Sequence, residues 1–193
     1  FISEGQISNI LTKEKSEVFS AEKTEIFQTG MMRANYFQSD STGARHMGKN
    51  GDMHYIGNEE FSTYYIEQNR KRETIRKRLG LLDGVLTPTP MVTDSANQYD
   101  CIACYHGHCW LHEIRHYTKM KPYLDYHRSI LEELITNLWE FYDLLKKYKS
   151  LPNIDLRREI EQKFESLFTT TTGYFELDRR IALTYDDRDK LLM

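Results

Sequence analysis

The spacing of apolar residues changes twice along this chain of 193 residues, and the resulting order of segments constrains the fold more than any other feature. Up to Gly30 the spacing is helical: Ser3 and Gln6 form a capping box on a short helix, and Gly30 ends a second one. From Met31 apolar and polar residues alternate as in strands, and after Cys109 the spacing is helical again. This order predicts an α/β fold in which a mixed sheet with flanking helices is followed by an all-helical insertion.

The strand-like segments occur in the order typical of an RNase H-like sheet. Strands are predicted at residues 32–40, 51–58, 60–67, 90–94 and 101–106. The first three are expected to be antiparallel, and helical crossovers, one of them at 69–82, connect the later strands in parallel. Phe61, Thr63 and Tyr65 share one face of the third strand. In this topology the first and fourth strands are neighbours.

The region after Cys109 is predicted to pack through apolar stripes. Helices are expected at 109–120, 123–149 and 156–168, and a further one begins near Phe175. The stripe of the longest helix consists of Leu131, Leu134, Leu138, Phe141, Leu145 and Tyr148. We also expect both tryptophans, Trp110 and Trp139, to lie in the core.

Two aspartates follow neighbouring strands of the predicted sheet. Asp40 ends the first strand and opens a loop, and Asp94 ends the fourth strand. Carboxylate oxygens are the ligands that Mg²⁺ and Mn²⁺ prefer, and two such strand ends side by side would supply half of a two-metal phosphoryl-transfer centre. The alternative is structural, because aspartate is also a common turn-forming residue at the end of a strand.

Three motifs, in order, extend this interpretation. They are D-S-T-G-A at 40–44, V-T-D-S-A at 92–96 and C-W-L-H-E-I-R at 109–115. In these motifs and their order the chain resembles bacterial insertion-sequence DDE transposases with an RNase H-like catalytic core. The resemblance implies metal-dependent cleavage and transfer of DNA strands at transposon ends. It also implies that Asp40 and Asp94 bind Mg²⁺ or Mn²⁺ and that Cys109, His112 and Arg115 support the site.

The chain departs from this family pattern in its third catalytic acid. That acid is usually a glutamate on a late helix, reached after a helical insertion, and only Glu113, Glu132 and Glu133 offer themselves as substitutes here. We therefore expect a fragment that is inactive on its own. The expected domains are a helical end of a DNA-binding or linker region at 1–30, a partial catalytic core at 31–121 and a helical insertion region at 122–193.

The net charge of −3 gives no general attraction to nucleic acid, so DNA binding has to come from local basic groups. The candidates are Arg45, His46 and Lys49 in the loop after Asp40, and Arg70, Lys71 and Arg72 at the start of the basic run 69–79. A mobile loop and a solvated helix face are the respective alternatives. Self-association on DNA is the other partnership that the resemblance implies.

Cysteine and histidine are concentrated between residues 101 and 116, which raises a second possibility. The seven side chains are Cys101, Cys104, His106, His108, Cys109, His112 and His116. They are of the kind that holds structural zinc, so the alternative function is a zinc-stabilised, non-catalytic module that binds nucleic acid or protein. Three cysteines, no signal peptide and no long apolar run predict a bacterial cytoplasmic protein without a membrane segment.

Overall fold

The computed structural model describes residues 2–46 and 48–193, and of His46 the backbone alone. The chain divides into two compact units, Phe1–His106 and Gly107–Met193. In the described residues, none of the helices is both long and apolar enough to cross a bilayer. The limits expected for the functional domains, 1–30, 31–121 and 122–193, stay predictions.

The sheet has five strands, and their arrangement confirms the RNase H-like prediction. The strands are β1 (Phe37–His46), β2 (Lys49–Gly57), β3 (Ser62–Glu67), β4 (Met91–Thr93) and β5 (His106–His108). Their spatial order is β3-β2-β1-β4-β5. Strands β1, β2 and β3 pair antiparallel, whereas β1 and β4 are parallel, as expected for a sheet that changes direction after its third strand.

The first strand is longer than the sequence indicated, and the predicted loop after Asp40 is wrong. Strand β1 continues to His46 and pairs with β2 from Gln38↔Gly57 to His46↔Lys49. The Ser-Thr-Gly sequence has the composition of a turn, but its backbone groups are paired with β2, and the reversal occurs later. There Gly48 has a φ of +77°, which a glycine adopts without strain.

Other predicted boundaries also shift. Strand β5 begins at His106, so the expected strand at 101–106 is wrong; its residues form turns, apart from a single parallel bridge between Thr87 and Ala103. The helix expected to end at Gly30 runs to Arg33. Gly30 is a contact point, because a Cβ there would overlap the ring of Phe61.

In unit 1, α2 and α3 pack on one face of the sheet. The helices are α1 (Glu4–Asn9), α2 (Ser16–Arg33) and α3 (Arg72–Arg78), and a π-helical segment (Ile10–Glu14) joins the first two. The capping box of Ser3 and Gln6 is confirmed. Phe61, Thr63 and Tyr65 are buried on one face, as predicted. The core beside them is formed by Phe37, Ile56, Ile75, Met91, Tyr99, Ile102 and Ala103.

Unit 2 is helical and has its own core. Its helices are α4 (Trp110–Thr118), α5 (Asp125–Ser150), α6 (Ile154–Phe168), α7 (Phe175–Asp186) and α8 (Arg188–Leu191). The predicted stripe of α5 is buried at its first four positions, and Leu145 and Tyr148 pack against the core half-buried. Trp110 is a core residue, but Trp139 is 43% exposed, so its expected burial is wrong.

Gly57 provides a test of the packing between β1, β2 and β3. A Cβ there would overlap the carbonyl oxygen of Phe61 and lie 2.8 Å from the hydroxyl of Tyr55. Because the first of these is backbone, Gly57→Ala should lower the free energy of unfolding by about 1–3 kcal/mol, measured by chemical denaturation. Gly5→Ala is the control, because nothing lies within 4 Å of its Cβ position. Equal stability of both variants would contradict this packing.

Candidate active site

The parallel pairing of β1 and β4 relates the positions of the two aspartates. The paired residues are Phe37↔Met91 and Gln38↔Val92. The same register continued for two more residues would place Asp40 opposite Asp94. Because neighbouring strands are about 4.8 Å apart, two residues separated by 53 intervening positions in sequence would then be neighbours at one end of the β1–β4 pair.

The two aspartates differ in how their backbones are held. Asp40 is exposed, lies inside β1 and is paired with Tyr55 of β2. Asp94 is half-buried and follows the last residue of β4. Each carboxylate accepts a hydrogen bond from a nearby backbone amide, Asp40 from Ser41 at 2.7 Å and Asp94 from Ala96 at 3.1 Å. These bonds orient the two side chains locally.

A hydrogen-bonded brace connects the residue after Asp40 with the turn after Asp94. The hydroxyl oxygen of Ser41 accepts a hydrogen bond from the amide of Gln98 at 3.1 Å and a longer one from the hydroxyl of Tyr99 at 3.4 Å. Gln98 and Tyr99 belong to a 3₁₀ turn, Asn97–Tyr99. Burial raises the pKa of Tyr99, and the charge of Asp94 acts in the same direction. The brace thus ties the two aspartate-bearing segments together.

The face of the sheet that carries Asp40 is open. A groove with a volume of about 410 Å³ is lined by Gln38, Asp40, Ser41, Thr42, Met53, Tyr55, Ser62 and Tyr64. The rings of Tyr55 and Tyr64 lie 5.4 Å apart between centroids, and Tyr64 is 53% exposed. A polymer can therefore approach Asp40 without displacing any packed element of unit 1.

The carboxylate of Glu113, one of the three candidates for a third acid, is hydrogen-bonded by residues of unit 2. Its side chain is buried, and Arg180 donates hydrogen bonds to both carboxylate oxygens, one of them from Nε at 3.0 Å. The hydroxyl of Thr184 donates to the same carboxylate. Burial, aided by the charge of Arg180, lowers the pKa of the neighbouring His116. Glu113 is therefore a structural residue of the helical unit.

The other candidate residues of unit 2 lie on the surface or at its margin. Glu132 and Glu133 are exposed on α5. Cys109 is the N-cap residue of α4 and is half-buried, as is His112, whereas Arg115 is exposed on the same helix. Their supporting role stays a prediction. Among the residues that the structure describes, no group of three or more histidine, cysteine, aspartate or glutamate side chains is arranged to hold a metal ion.

The predicted DNA-contacting residues fall into two groups. Arg45 lies in β1 and Lys49 begins β2, so both are exposed strand residues at the end of a hairpin rather than parts of a loop. The side chain of His46 lies outside the described part of the chain. Arg70 forms an ion pair with Asp52 at 2.8 Å.

The remaining basic residues around α3 are largely used inside unit 1. Arg72 donates to the carbonyl of Asn97 at 2.8 Å, and Lys71 is exposed. Arg76 is buried and donates to the carbonyls of Cys101, Leu82 and Val85, and Arg78 pairs with Glu67 and covers the ring of Tyr65. Most of this basic run therefore stabilises the fold, which the charge pattern alone could not reveal.

The Cys/His segment, for which zinc binding was the alternative interpretation, does not gather a group of three or more metal-ligating side chains in the described residues. His106 is hydrogen-bonded to the hydroxyl of Thr93 at 2.7 Å, and His108 contacts Asp187 at 3.2 Å. Cys101 and Cys104 are exposed and not disulfide-bonded.

Gln98 and Tyr99 contact Ser41 but were not predicted from the sequence as part of the site. The only signal for them was their position four and five residues after Asp94.

Comparison with known proteins places the chain in a family. Residues 2–176 match the model of the Transposase IS66 family. This match covers most of the 193 residues, and the chain belongs to that family. The family assignment agrees with the sheet topology and with the three sequence motifs.

Two further similarities are more limited. A stretch of 109 residues, 56% of the chain, is 30% identical to the Uncharacterized protein y4jO of Sinorhizobium fredii (strain NBRC 101917 / NGR234), of which the chain spans 33%. A solved structure with some similarity is that of the HTLV-2 integrase catalytic core domain in complex with magnesium, in a trimeric form. The match covers 72% of this chain and 88% of that chain, with 16% sequence identity and a TM-score of 0.32. So low a score carries no argument.

The brace predicts a measurable coupling between Ser41 and Gln98. Ser41→Ala and Gln98→Leu remove the two ends of the same hydrogen bond, so their effects on the free energy of unfolding should be non-additive by about 1 kcal/mol. A double-mutant cycle by urea denaturation measures this coupling. The matched cycle pairs Ser41→Ala with Asn97→Ala, an exposed neighbour. Additive effects in the first cycle would show that the contact is absent.

The buried pair in unit 2 predicts a large effect on stability. Glu113→Gln leaves the charge of Arg180 without its counter-ion, so the free energy of unfolding should fall by about 3 kcal/mol. Glu132→Gln, on an exposed position of α5, should change it by less than about 0.5 kcal/mol. Thermal and urea denaturation followed by circular dichroism measure both. A Glu113→Gln variant as stable as the Glu132→Gln control would refute the structural role.

Proposed function

We propose that this chain carries two of the metal-binding carboxylates, Asp40 and Asp94, of a transposase that cleaves and transfers DNA strands at transposon ends. The observation that supports the proposal is the register of β1 and β4, Phe37↔Met91 and Gln38↔Val92, which would bring these two residues opposite each other if it continued for two more residues. Membership of the Transposase IS66 family supports the class of reaction.

The residues present fit part of a divalent-metal site. Two carboxylates on adjacent strands supply hard oxygen ligands of the kind that Mg²⁺ or Mn²⁺ prefers, and Asp40 is accessible from the open groove. When bound, such ions would activate a water or a 3′-hydroxyl and stabilise the leaving oxygen at a phosphodiester. Because the described residues contain no group of three suitable ligands, a further acid has to complete the site.

The chain's own residues position the two carboxylates. The β2 ladder holds the backbone of Asp40 on one side of β1, and the brace from Ser41 to Gln98 and Tyr99 holds the turn beyond Asp94. Amide hydrogen bonds to each carboxylate limit its rotation. Such preorganisation lowers the cost of bringing two negative charges together before the cations arrive.

Several finer assignments belong to this proposal. DNA at transposon ends is the substrate, the protein self-associates on DNA, and it acts in the cytoplasm. Cys109, His112 and Arg115 support the site. The exposed members of the predicted DNA-contacting set are Arg45, Lys49, Arg70 and Lys71, of which Arg70 is paired with Asp52. The chain spans a third of the length of its curated relative, so the activity of the whole protein is part of the proposal.

Metal binding by the 193-residue chain tests the proposal directly. Asp40→Asn and Asp94→Asn remove one charged ligand each, so each should weaken Mn²⁺ binding by at least about tenfold while the circular dichroism spectrum stays unchanged. Titration with Mn²⁺, followed by the electron paramagnetic resonance signal of the free ion, gives the affinity. Asp83→Asn, in an exposed connection, is the control.

Two outcomes would contradict the proposal. The first is an Asp40→Asn or Asp94→Asn variant that binds Mn²⁺ as tightly as the Asp83→Asn control. The second is stoichiometric zinc in the purified chain that is lost when Cys101 and Cys104 are replaced by serine, which would favour the non-catalytic zinc module. In the complete transposase, either aspartate variant should also lose DNA cleavage.

A further inference from the structure

We propose that an exposed surface on α4 and the connection to α5 binds the phosphate backbone of duplex DNA. This surface, here named the α4–α5 surface, consists of Arg115, Lys119, Lys121, Tyr123 and Tyr126. This inference rests on the proposed function only in that it takes DNA as the binding partner. The surface lies wholly within unit 2 and includes none of the residues proposed to bind metal. Of its members, Arg115 alone is also among the residues proposed to support the metal site.

The orientation of α4 presents its cations to solvent. Trp110, Ile114 and Tyr117 are buried on the inner side of the helix. Arg115 and Lys119, four residues apart and therefore on one side of the helix, are exposed. Lys121 follows in the connection and is also exposed. Three positive charges thus lie within seven residues.

Local acids do not neutralise these charges. Glu113 is the single acidic residue between Cys109 and Leu124, and its carboxylate is buried and paired with Arg180. Asp125, the first residue of α5, is an exposed acid beside the tyrosines, and it is paired with Arg128 at 2.9 Å. The ion pairs recorded among the described residues of unit 2 do not include Arg115, Lys119 or Lys121. In a chain with a net charge of −3, this local excess of positive charge is complementary to a polyanion.

Most arginines around α3 are held in contacts within unit 1, whereas the cations of the α4–α5 surface are accessible for phosphate binding. Arg70, Arg72, Arg76 and Arg78 all donate to carboxylates or carbonyls of unit 1. An arginine held in such contacts would have to give them up in order to bind a phosphate. Among the residues that the structure describes, no such contact holds Arg115, Lys119 or Lys121, so these cations can bind phosphate without giving one up.

Two tyrosines extend the surface beyond its charges. Tyr123 is 98% exposed in the connection, and Tyr126 is 70% exposed in the first turn of α5. Tyrosine hydroxyls are common donors to phosphate oxygens in protein–DNA complexes. Exposed aromatic rings beside unpaired cations match the chemistry of a nucleic-acid backbone better than that of an apolar partner.

The salt dependence of DNA binding tests the surface. Each phosphate contact contributes about 0.9 to the slope of log K against log salt concentration. The combined variant Arg115→Gln, Lys119→Gln and Lys121→Gln should therefore lower that slope by about 2–3. Fluorescence anisotropy of a labelled duplex of arbitrary sequence, measured over a salt series with the 193-residue chain, gives the slope, because backbone contacts do not depend on sequence.

A matched variant controls for net charge. Lys146→Gln, Arg157→Gln and Arg158→Gln together remove the same charge from exposed positions of unit 2, but each of these cations has an acidic neighbour. This control should keep the wild-type slope. Lys121→Gln alone should lower the slope by about 0.9. Because Lys121 lies outside any helix, this single variant tests the surface even if the combined variant folds poorly.

The outcomes separate this inference from the proposed function. A reduced slope in the test variants and a normal slope in the control support the surface. A normal slope in the test variants overturns the surface and leaves DNA as the partner. A wild-type chain that does not bind the duplex overturns both. Test variants that bind DNA normally but no longer bind phosphatidylserine vesicles would replace DNA with an anionic membrane.

Discussion

The parallel pairing of β1 with β4 is the interaction on which the candidate site depends. The two strands are separated in sequence by the β2–β3 hairpin and by α3, and their direct pairing is what would bring Asp40 opposite Asp94 in the proposed site. The pairing is short, two residue pairs in length, and is reinforced beyond its end by the contact of Gln98 with Ser41. A shift of one residue would turn one carboxylate to the other face of the sheet, because side chains alternate along a strand.

The order and type of most elements could be predicted from the sequence, because period-2 and period-3.6 patterns follow directly from burial of one face. The predicted order led to the neighbouring positions of β1 and β4, which the structure confirms. The extension of β1 beyond Asp40 could not be predicted, since Ser41, Thr42 and Gly43 have the composition of a turn. Their strand conformation is imposed by pairing with distant residues of β2, which local patterns do not encode.

The contacts that individual side chains make could not be predicted from the sequence either. A run of six basic residues around α3 has the same composition whether it faces DNA or holds loops in place, and only the coordinates show Arg76 donating to three carbonyls. Conversely, the cations of α4 are too widely spaced for the sequence alone to indicate a basic surface. Glu113 offers the same lesson, because its spacing in the C-W-L-H-E-I-R motif does not reveal its contact with Arg180, 67 residues away.

The different backbone settings of Asp40 and Asp94 have a consequence for how a cation would be accommodated. Asp40 lies within the continuous ladder between β1 and β2, so its backbone can move little. Asp94 stands just past a three-residue strand, in a turn whose shape is fixed by a few side-chain bonds. In the proposed site, the carboxylate of Asp40 would therefore keep a fixed position, whereas that of Asp94 could adjust to a bound cation.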